Sequence, residues 1–134
     1  MAMIGVLCVD DNPMIADALS ARLALEPDMA LVGRLSDAST LLDTVGRVNP
    51  DIVLLDVDMP GRDPFDAVDE LRTREPMVRV VMFSGHLRGE LVDRAVEAGA
   101  WGYVSKNEGT EAIIDAIRRA AAGEFVMVPD ISAE

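Results

Sequence analysis

Short runs of consecutive aliphatic residues alternate along this chain with stretches in which apolar residues recur at helical spacing. Ile4 to Val9 reads as a buried strand. Asn12-Pro13 then forms a helix-start signal, a side-chain cap followed by a proline where no amide donor is needed. Ile15, Ala18, Leu19 and Leu23 continue as an inner face. Met29 to Leu35 is a second strand candidate. Ser36 or Asp37 is placed to cap a second helix carrying Ala38, Leu41, Leu42, Val45 and Val48, which Asn49-Pro50 ends. Ile52 to Leu55 is a third strand, and Met59-Pro60-Gly61 a loop. Phe65, Val68 and Leu71 mark a third helix that stops before Pro76. Val78 to Phe83 is a fourth strand. Leu91, Val92, Ala95 and Val96 stripe a fourth helix with Gly99 as its stop. Gly102 to Ser105 is a short fifth strand, and Ile113, Ile117, Ala120 and Ala121 stripe a fifth helix closed by Gly123.

The order is strand then helix, five times over. Near-continuous aliphatic runs fit strands buried on both faces, and alternation at these lengths predicts a parallel sheet with helices on both sides. Ligands of such sheets bind beyond the carboxyl ends of the strands. Charged and polar residues gather at those ends: Asp10 and Asp11 after the first strand, Asp56 after the third, Ser84 after the fourth and Lys106 after the fifth. Lys106 is the only lysine against eleven arginines.

Three carboxylates and one ammonium at one edge suggest a divalent metal and a phosphoryl group. Magnesium prefers an octahedron of oxygens from carboxylates, waters and phosphate. Three close carboxylates repel one another without a cation, and a divalent ion relieves that repulsion. A carboxylate can also act as a nucleophile and form an acyl phosphate. Lys106 would then pair with a phosphoryl oxygen or with the free nucleophile, and Ser84 could donate to another oxygen.

Composition narrows the classes. At 134 residues, 50% of them apolar and 4% aromatic, the chain suits one domain with an aliphatic core. A net charge of −12 repels phosphate backbones, so direct nucleic-acid binding is not expected. Cys8 is the single cysteine, sits in an apolar run and has no intrachain partner. No run approaches the roughly 18 apolar residues of a membrane span, and no basic segment followed by a long apolar stretch opens the chain. The expectation is a cytoplasmic domain with no membrane contact.

Four segments carry a family resemblance: Val9-Asp10-Asp11-Asn12-Pro13, Leu54 to Gly61, Phe83-Ser84-Gly85 and Val104-Ser105-Lys106. They resemble the signature segments of bacterial two-component response-regulator receiver domains, over about residues 4–123 and in the right order. Gly99 to Lys106 and the ending Ala120 to Glu124 look most like the NarL/FixJ-type subgroup. The resemblance implies a (βα)5 flavodoxin- or CheY-like fold: five parallel strands in the order 2-1-3-4-5, helices on both faces. It implies a receiver over 1–124, with 125–134 a tail or the start of a linker to a missing effector domain. The subgroup's DNA-binding half does not follow here, so the expectation is a receiver from a longer protein or one that stands alone.

The resemblance also implies roles. Asp56 would accept phosphate from a histidine kinase with Mg2+ (or Mn2+) bound. Asp11 and Asp56 would hold the ion directly, Asp10 largely through water, and Asp58 through its backbone carbonyl. Ser84 would be the hydroxyl that moves toward the phosphoryl group, Tyr103 the aromatic that reports this movement, and Lys106 the phosphoryl-oxygen ligand. Asp58 and His86 would tune phosphoryl lifetime. Output would run through homodimerisation or an attached domain, without enzymatic activity beyond phosphotransfer and dephosphorylation. Tyr103 also reads as a half-exposed aromatic on an edge strand, His86 as an exposed loop residue, and Trp101 and the methionines as packing. Two positions depart from the family: Asn107 stands where many members have proline, and Pro64 where glycine is usual.

Two other functions compete. Asp56-Val57-Asp58 after four aliphatics resembles the nucleophile motif of haloacid-dehalogenase-type phosphatases, although there the acidic pair comes later in the chain. A degenerate or stand-alone receiver acting only by protein binding is the third possibility.

Overall fold

A computed structural model of the chain describes residues 3–85 and 88–128. Strands and helices alternate as β1 (Ile4–Val9), α1 (Pro13–Leu23), β2 (Met29–Leu35), α2 (Leu41–Val48), β3 (Ile52–Asp56), α3 (Pro64–Arg74), β4 (Arg79–Ser84), α4 (Gly89–Ala98), β5 (Gly102–Ser105), α5 (Gly109–Ala121) and β6 (Val126–Val128). The sheet runs β2-β1-β3-β4-β5-β6 with every pairing parallel. The expected order of the first five strands holds, but the sheet has six strands rather than five. Val126–Val128, in the segment read as tail or linker, pairs with Gly102 to Val104 of β5.

Alternating side chains of each strand divide the core into two layers. Leu7, Val9, Val53, Leu55 and Met82 face Leu41 and Val45 of α2, Phe65, Val68 and Leu71 of α3, and Val92 and Ala95 of α4. Val6, Cys8, Ile52, Leu54, Val81 and Phe83 face Leu19 and Leu23 of α1 and Ile113, Ile114 and Ile117 of α5. Both faces of the sheet are covered, which is why its strands read as unbroken aliphatic runs.

The helix caps follow local chemistry. Asn12 Oδ1 accepts from the Met14 N–H at 3.0 Å, with Pro13 in the first turn of α1. Asp63 Oδ1 accepts from the Phe65 N–H at 2.8 Å and places Pro64 in the first turn of α3. Pro64 is therefore accommodated: its fixed φ suits a helix start and its missing amide is no loss there. Helix α2 begins later than the sequence suggests. Asp37 Oδ1 accepts from the Ser39 N–H at 2.8 Å and holds a turn, while Ala38 packs in the core outside the helix. Asn49 closes α2 in the left-handed region, at φ 48°.

Helix α4 ends on Gly99 at φ 101°, where an added Cβ would lie 2.5 Å from Arg72 Cδ. Gly99→Ala is expected to lower stability by about 1–2 kcal/mol, mostly from the left-handed backbone. A urea unfolding midpoint unchanged from that of the parent would contradict this account.

Candidate functional site

The four strand ends expected to carry chemistry, those of β1, β3, β4 and β5, lie along one edge of the sheet. β1 and β3 are neighbours, and each delivers its carboxylates where the chain leaves the sheet. Ligand oxygens of Asp10, Asp11 and Asp56 lie within 4.8 Å of one another. Asp10 and Asp56 are buried, whereas Asp11 is exposed.

Lys106 reaches into this cluster from the end of β5. Its Nζ lies 3.0 Å from Asp56 Oδ1, 3.6 Å from Asp10 Oδ2 and 4.9 Å from the centre of the Phe83 ring. Burial works against the charge on Lys106. The hydrogen bond with Asp56 and the nearby carboxylates outweigh it, so its pKa is raised. Asp56 Oδ1 also accepts from the Asp58 N–H at 2.9 Å. The neighbouring 3-10 turn, Lys106–Glu108, is fixed where Ser105 Oγ accepts from the Asn107 N–H at 3.2 Å. A proline at that position could not make this bond, so the departure at Asn107 carries its own local tether. Arg62 and Arg88, the other cations near the motifs in sequence, pair instead with Glu70 at 3.0 Å and Glu90 at 3.4 Å.

Asp10 carries the strain of the site. Its Oδ1 accepts from the Asn12 N–H at 2.8 Å, but its buried Oδ2 has no hydrogen-bond donor among the described residues. Burial pushes the Asp10 carboxyl up to about 6, the Asn12 amide opposes this, and the charge of Asp56 adds to it. A buried carboxylate oxygen without a donor, beside two more carboxylates, fits a hard divalent cation. Asp10, Asp11 and Asp56 are the residues that could hold such an ion.

Ser84 and Tyr103 lie next to this cluster, and both are fully buried. The half-exposed reading of Tyr103 is incorrect: β6 flanks β5, with Met127 paired in register with Tyr103, so β5 is not an edge strand. Burial raises the Tyr103 phenol, and its side chain is within hydrogen-bonding reach of Ser84. Ser84 Oγ also donates to the Asp58 carboxylate, at 3.2 Å to Oδ1 and 3.1 Å to Oδ2. The Gly85 N–H donates to the same carboxylate at 3.1 Å. This use of the Asp58 side chain was not foreseen. Its only sequence signal is an acidic residue two positions after Asp56. His86 lies outside the described residues. Trp101 stacks under the Arg79 guanidinium, 4.6 Å from its ring centre, and Arg79 donates to the Ala120 and Ala121 carbonyls at 2.9 Å each. Among the described residues, no helix is long and apolar enough to cross a membrane.

A parallel α/β sheet with an acidic trio, a lysine and a buried hydroxyl at its carboxyl edge defines a receiver-type signalling domain. The response regulator receiver domain profile matches residues 6–118, and the chain belongs to that family. Its relatives place it with the NarL/LuxR type of two-component response regulators. The nitrate/nitrite response regulator NarL of Escherichia coli is 34% identical over 122 residues, covering 91% of this chain and 56% of NarL. A two-component response regulator of the LuxR family from Aurantimonas superposes with a TM-score of 0.92 at 29% identity, covering 99% of this chain and 95% of that one. A protein-glutamate methylesterase/protein-glutamine glutaminase of Cupriavidus metallidurans is 39% identical over 130 residues, 90% of this chain but 36% of that enzyme. The chain thus spans about half the length of NarL, and family membership does not by itself exclude catalysis elsewhere in a longer protein. Membership replaces the dehalogenase-type reading of Asp56-Val57-Asp58.

Proposed function

We propose that this chain is a phosphoacceptor switch: Asp56 takes a phosphoryl group from the phosphohistidine of a histidine kinase in a reaction that requires Mg2+ (or Mn2+). A carboxylate oxygen of Asp56 attacks phosphorus, the new O–P bond forms as the P–N bond breaks, and the imidazole leaves. Hydrolysis of the acyl phosphate releases inorganic phosphate and restores the carboxylate. The observation that carries this reading is the buried Asp56 carboxylate, 3.0 Å from the only lysine and within 4.8 Å of two further carboxylates.

Bound at Asp10, Asp11, Asp56 and the Asp58 carbonyl, the divalent ion would supply positive charge to offset that of the incoming phosphoryl group. The chain's own groups do the remainder. Lys106 holds the free carboxylate before transfer and pairs with a phosphoryl oxygen afterwards. Ser84 donates to another oxygen, and Tyr103, its hydrogen-bond neighbour, moves with it. Phosphorylation adds about 1.5–2 negative charges at an already acidic corner, which shifts the population of a two-state surface. The partners that follow are a histidine kinase and a second copy of the domain on phosphorylation. The output is transcriptional, through a DNA-binding domain in a longer cytoplasmic protein whose receiver extends past residue 124 to include β6.

Incubation with acetyl phosphate and Mg2+ is expected to add one phosphoryl group per chain, mapped to Asp56. The addition should be absent with EDTA and in Asp56→Asn. Labelling that persists in Asp56→Asn would overturn the assignment, and its absence from the parent protein would favour a receiver that acts by binding alone. Timing phosphate loss in His86→Ala within the same assay tests the role of that side chain, for which an unchanged lifetime is the contrary result.

A further inference from the structure

Asp58 touches both ends of the proposed switch. Its N–H donates to Asp56 Oδ1 at 2.9 Å, and its carboxylate accepts from Ser84 Oγ at 3.1 and 3.2 Å and from the Gly85 N–H at 3.1 Å. The side chain is exposed, yet it turns back from the β3–α3 loop to the β4–α4 loop rather than into water. The start of the β3–α3 loop is also tied to β4, where the Val57 N–H donates to the Phe83 carbonyl at 3.0 Å.

We propose that the Asp58 carboxylate is a latch: it holds the Ser84 hydroxyl in the resting arrangement and competes with a phosphoryl group on Asp56 for that donor. The proposal rests on the phosphoacceptor reading and adds a positioning residue that regulates it. A hydroxyl has one proton to donate. While that proton is committed to Asp58, it cannot serve a phosphoryl oxygen on Asp56. Because the acceptor is ionised, the bond is of the stronger, charge-assisted kind. Like charge between the Asp58 carboxylate and a phosphoryl dianion would favour release once Asp56 is occupied, so the latch opens as Ser84 and Gly85 transfer. The latch therefore sets how much binding energy at Asp56 is needed before the surface switches.

The test uses the whole chain with beryllofluoride and Mg2+ as the phosphoryl analogue. Asp58→Ala is expected to tighten apparent beryllofluoride affinity on the order of tenfold, the scale of one charge-assisted hydrogen bond. The Gly85 amide resonance of the metal-free protein should move at the same time. In a Ser84→Ala background the same substitution should give little further tightening, because the latch then has no hydroxyl to hold. Asp58→Asn, which keeps an acceptor oxygen but loses the charge, should fall between the parent and Asp58→Ala. Equal tightening with and without Ser84 would overturn the latch in favour of simple charge repulsion. An unchanged affinity in Asp58→Ala would overturn it outright. Failure of the parent protein to bind beryllofluoride would overturn the phosphoacceptor reading and the latch with it, whereas normal binding without an Asp58 effect removes the latch alone.

Discussion

Lys106→Met is expected to destabilise the metal-free protein by about 3 kcal/mol and to uncouple phosphorylation from switching. The first effect follows from the arrangement of charge. Lys106 Nζ is 3.0 Å from Asp56 and 3.6 Å from Asp10, and both carboxylates are buried. Removing one partner of a buried ion pair typically costs 3–5 kcal/mol because the remaining charge is left unpaired. Methionine keeps an apolar stem of similar length beside Phe83, so the loss reports charge rather than packing. Mg2+ should recover much of it. A ligand that binds only the folded state adds about 2.7 kcal/mol at 100 times its Kd. Urea midpoints with EDTA and with Mg2+ measure both quantities. The second effect follows from geometry: the acidic cluster remains to accept phosphate at Asp56, but no ammonium is left to pair with the phosphoryl oxygen. Arg62 and Arg88 are engaged by Glu70 and Glu90 and do not replace it. Labelling by acetyl phosphate should persist while the phosphorylation-dependent change at Tyr103 is lost. A normal Tyr103 response in this variant would remove Lys106 from the signalling role.

The convergence of Asp10, Asp11, Asp56, Ser84 and Lys106 was legible because it depends on strong local signals. Each residue stands at the end of an apolar run, and a parallel sheet brings such ends to one edge. Asn12-Pro13 likewise announces its helix through chemistry confined to a few residues. Strand β6 was not legible. Val126–Val128 has only three residues, too few for a periodicity, and its place depends on the open edge of β5 far away in sequence. A short apolar run after Gly123, Phe125 to Val128, was the one available cue. The error over Tyr103 has the same origin, since an aromatic on β5 reads as half-exposed only when nothing lies beyond β5. The start of α2 was displaced for another reason: Asp37 satisfies a turn with Ser39 instead of capping a helix, a competition that Asp side chains regularly enter. The Asp58 carboxylate was visible as a charge, but its bond to Ser84 requires two loops to meet, which no local pattern encodes.

Asp10→Asn should make the metal-free protein more stable at neutral pH and at the same time abolish much of its gain from Mg2+. The Asp10 carboxyl is pushed up to about 6, first by burial, against an ordinary value of about 4. Between those two values the folded state binds more protons than the unfolded state, so stability falls as pH rises through the window. Above pH 6 the protein carries the full penalty of an ionised Asp10 whose Oδ2 has no donor among the described residues. Asparagine keeps an oxygen for the Asn12 N–H, which Asp10 Oδ1 now accepts at 2.8 Å, and carries no charge. The variant should therefore gain about 2 kcal/mol over the parent at pH 7.5 in EDTA, with most of the advantage gone near pH 4. Magnesium should reverse the order, because the parent offers three carboxylates to the ion and the variant two. Urea unfolding of both proteins at pH 4, 6 and 7.5, with and without Mg2+, separates these terms. Equal metal-free stabilities at pH 7.5 would show that Asp10 is not held ionised at an energetic disadvantage. An undiminished Mg2+ response in the variant would show that the ion sits elsewhere. The crowding of carboxylates that weakens the empty fold is thus the same feature that should draw the cation, and one substitution tests both.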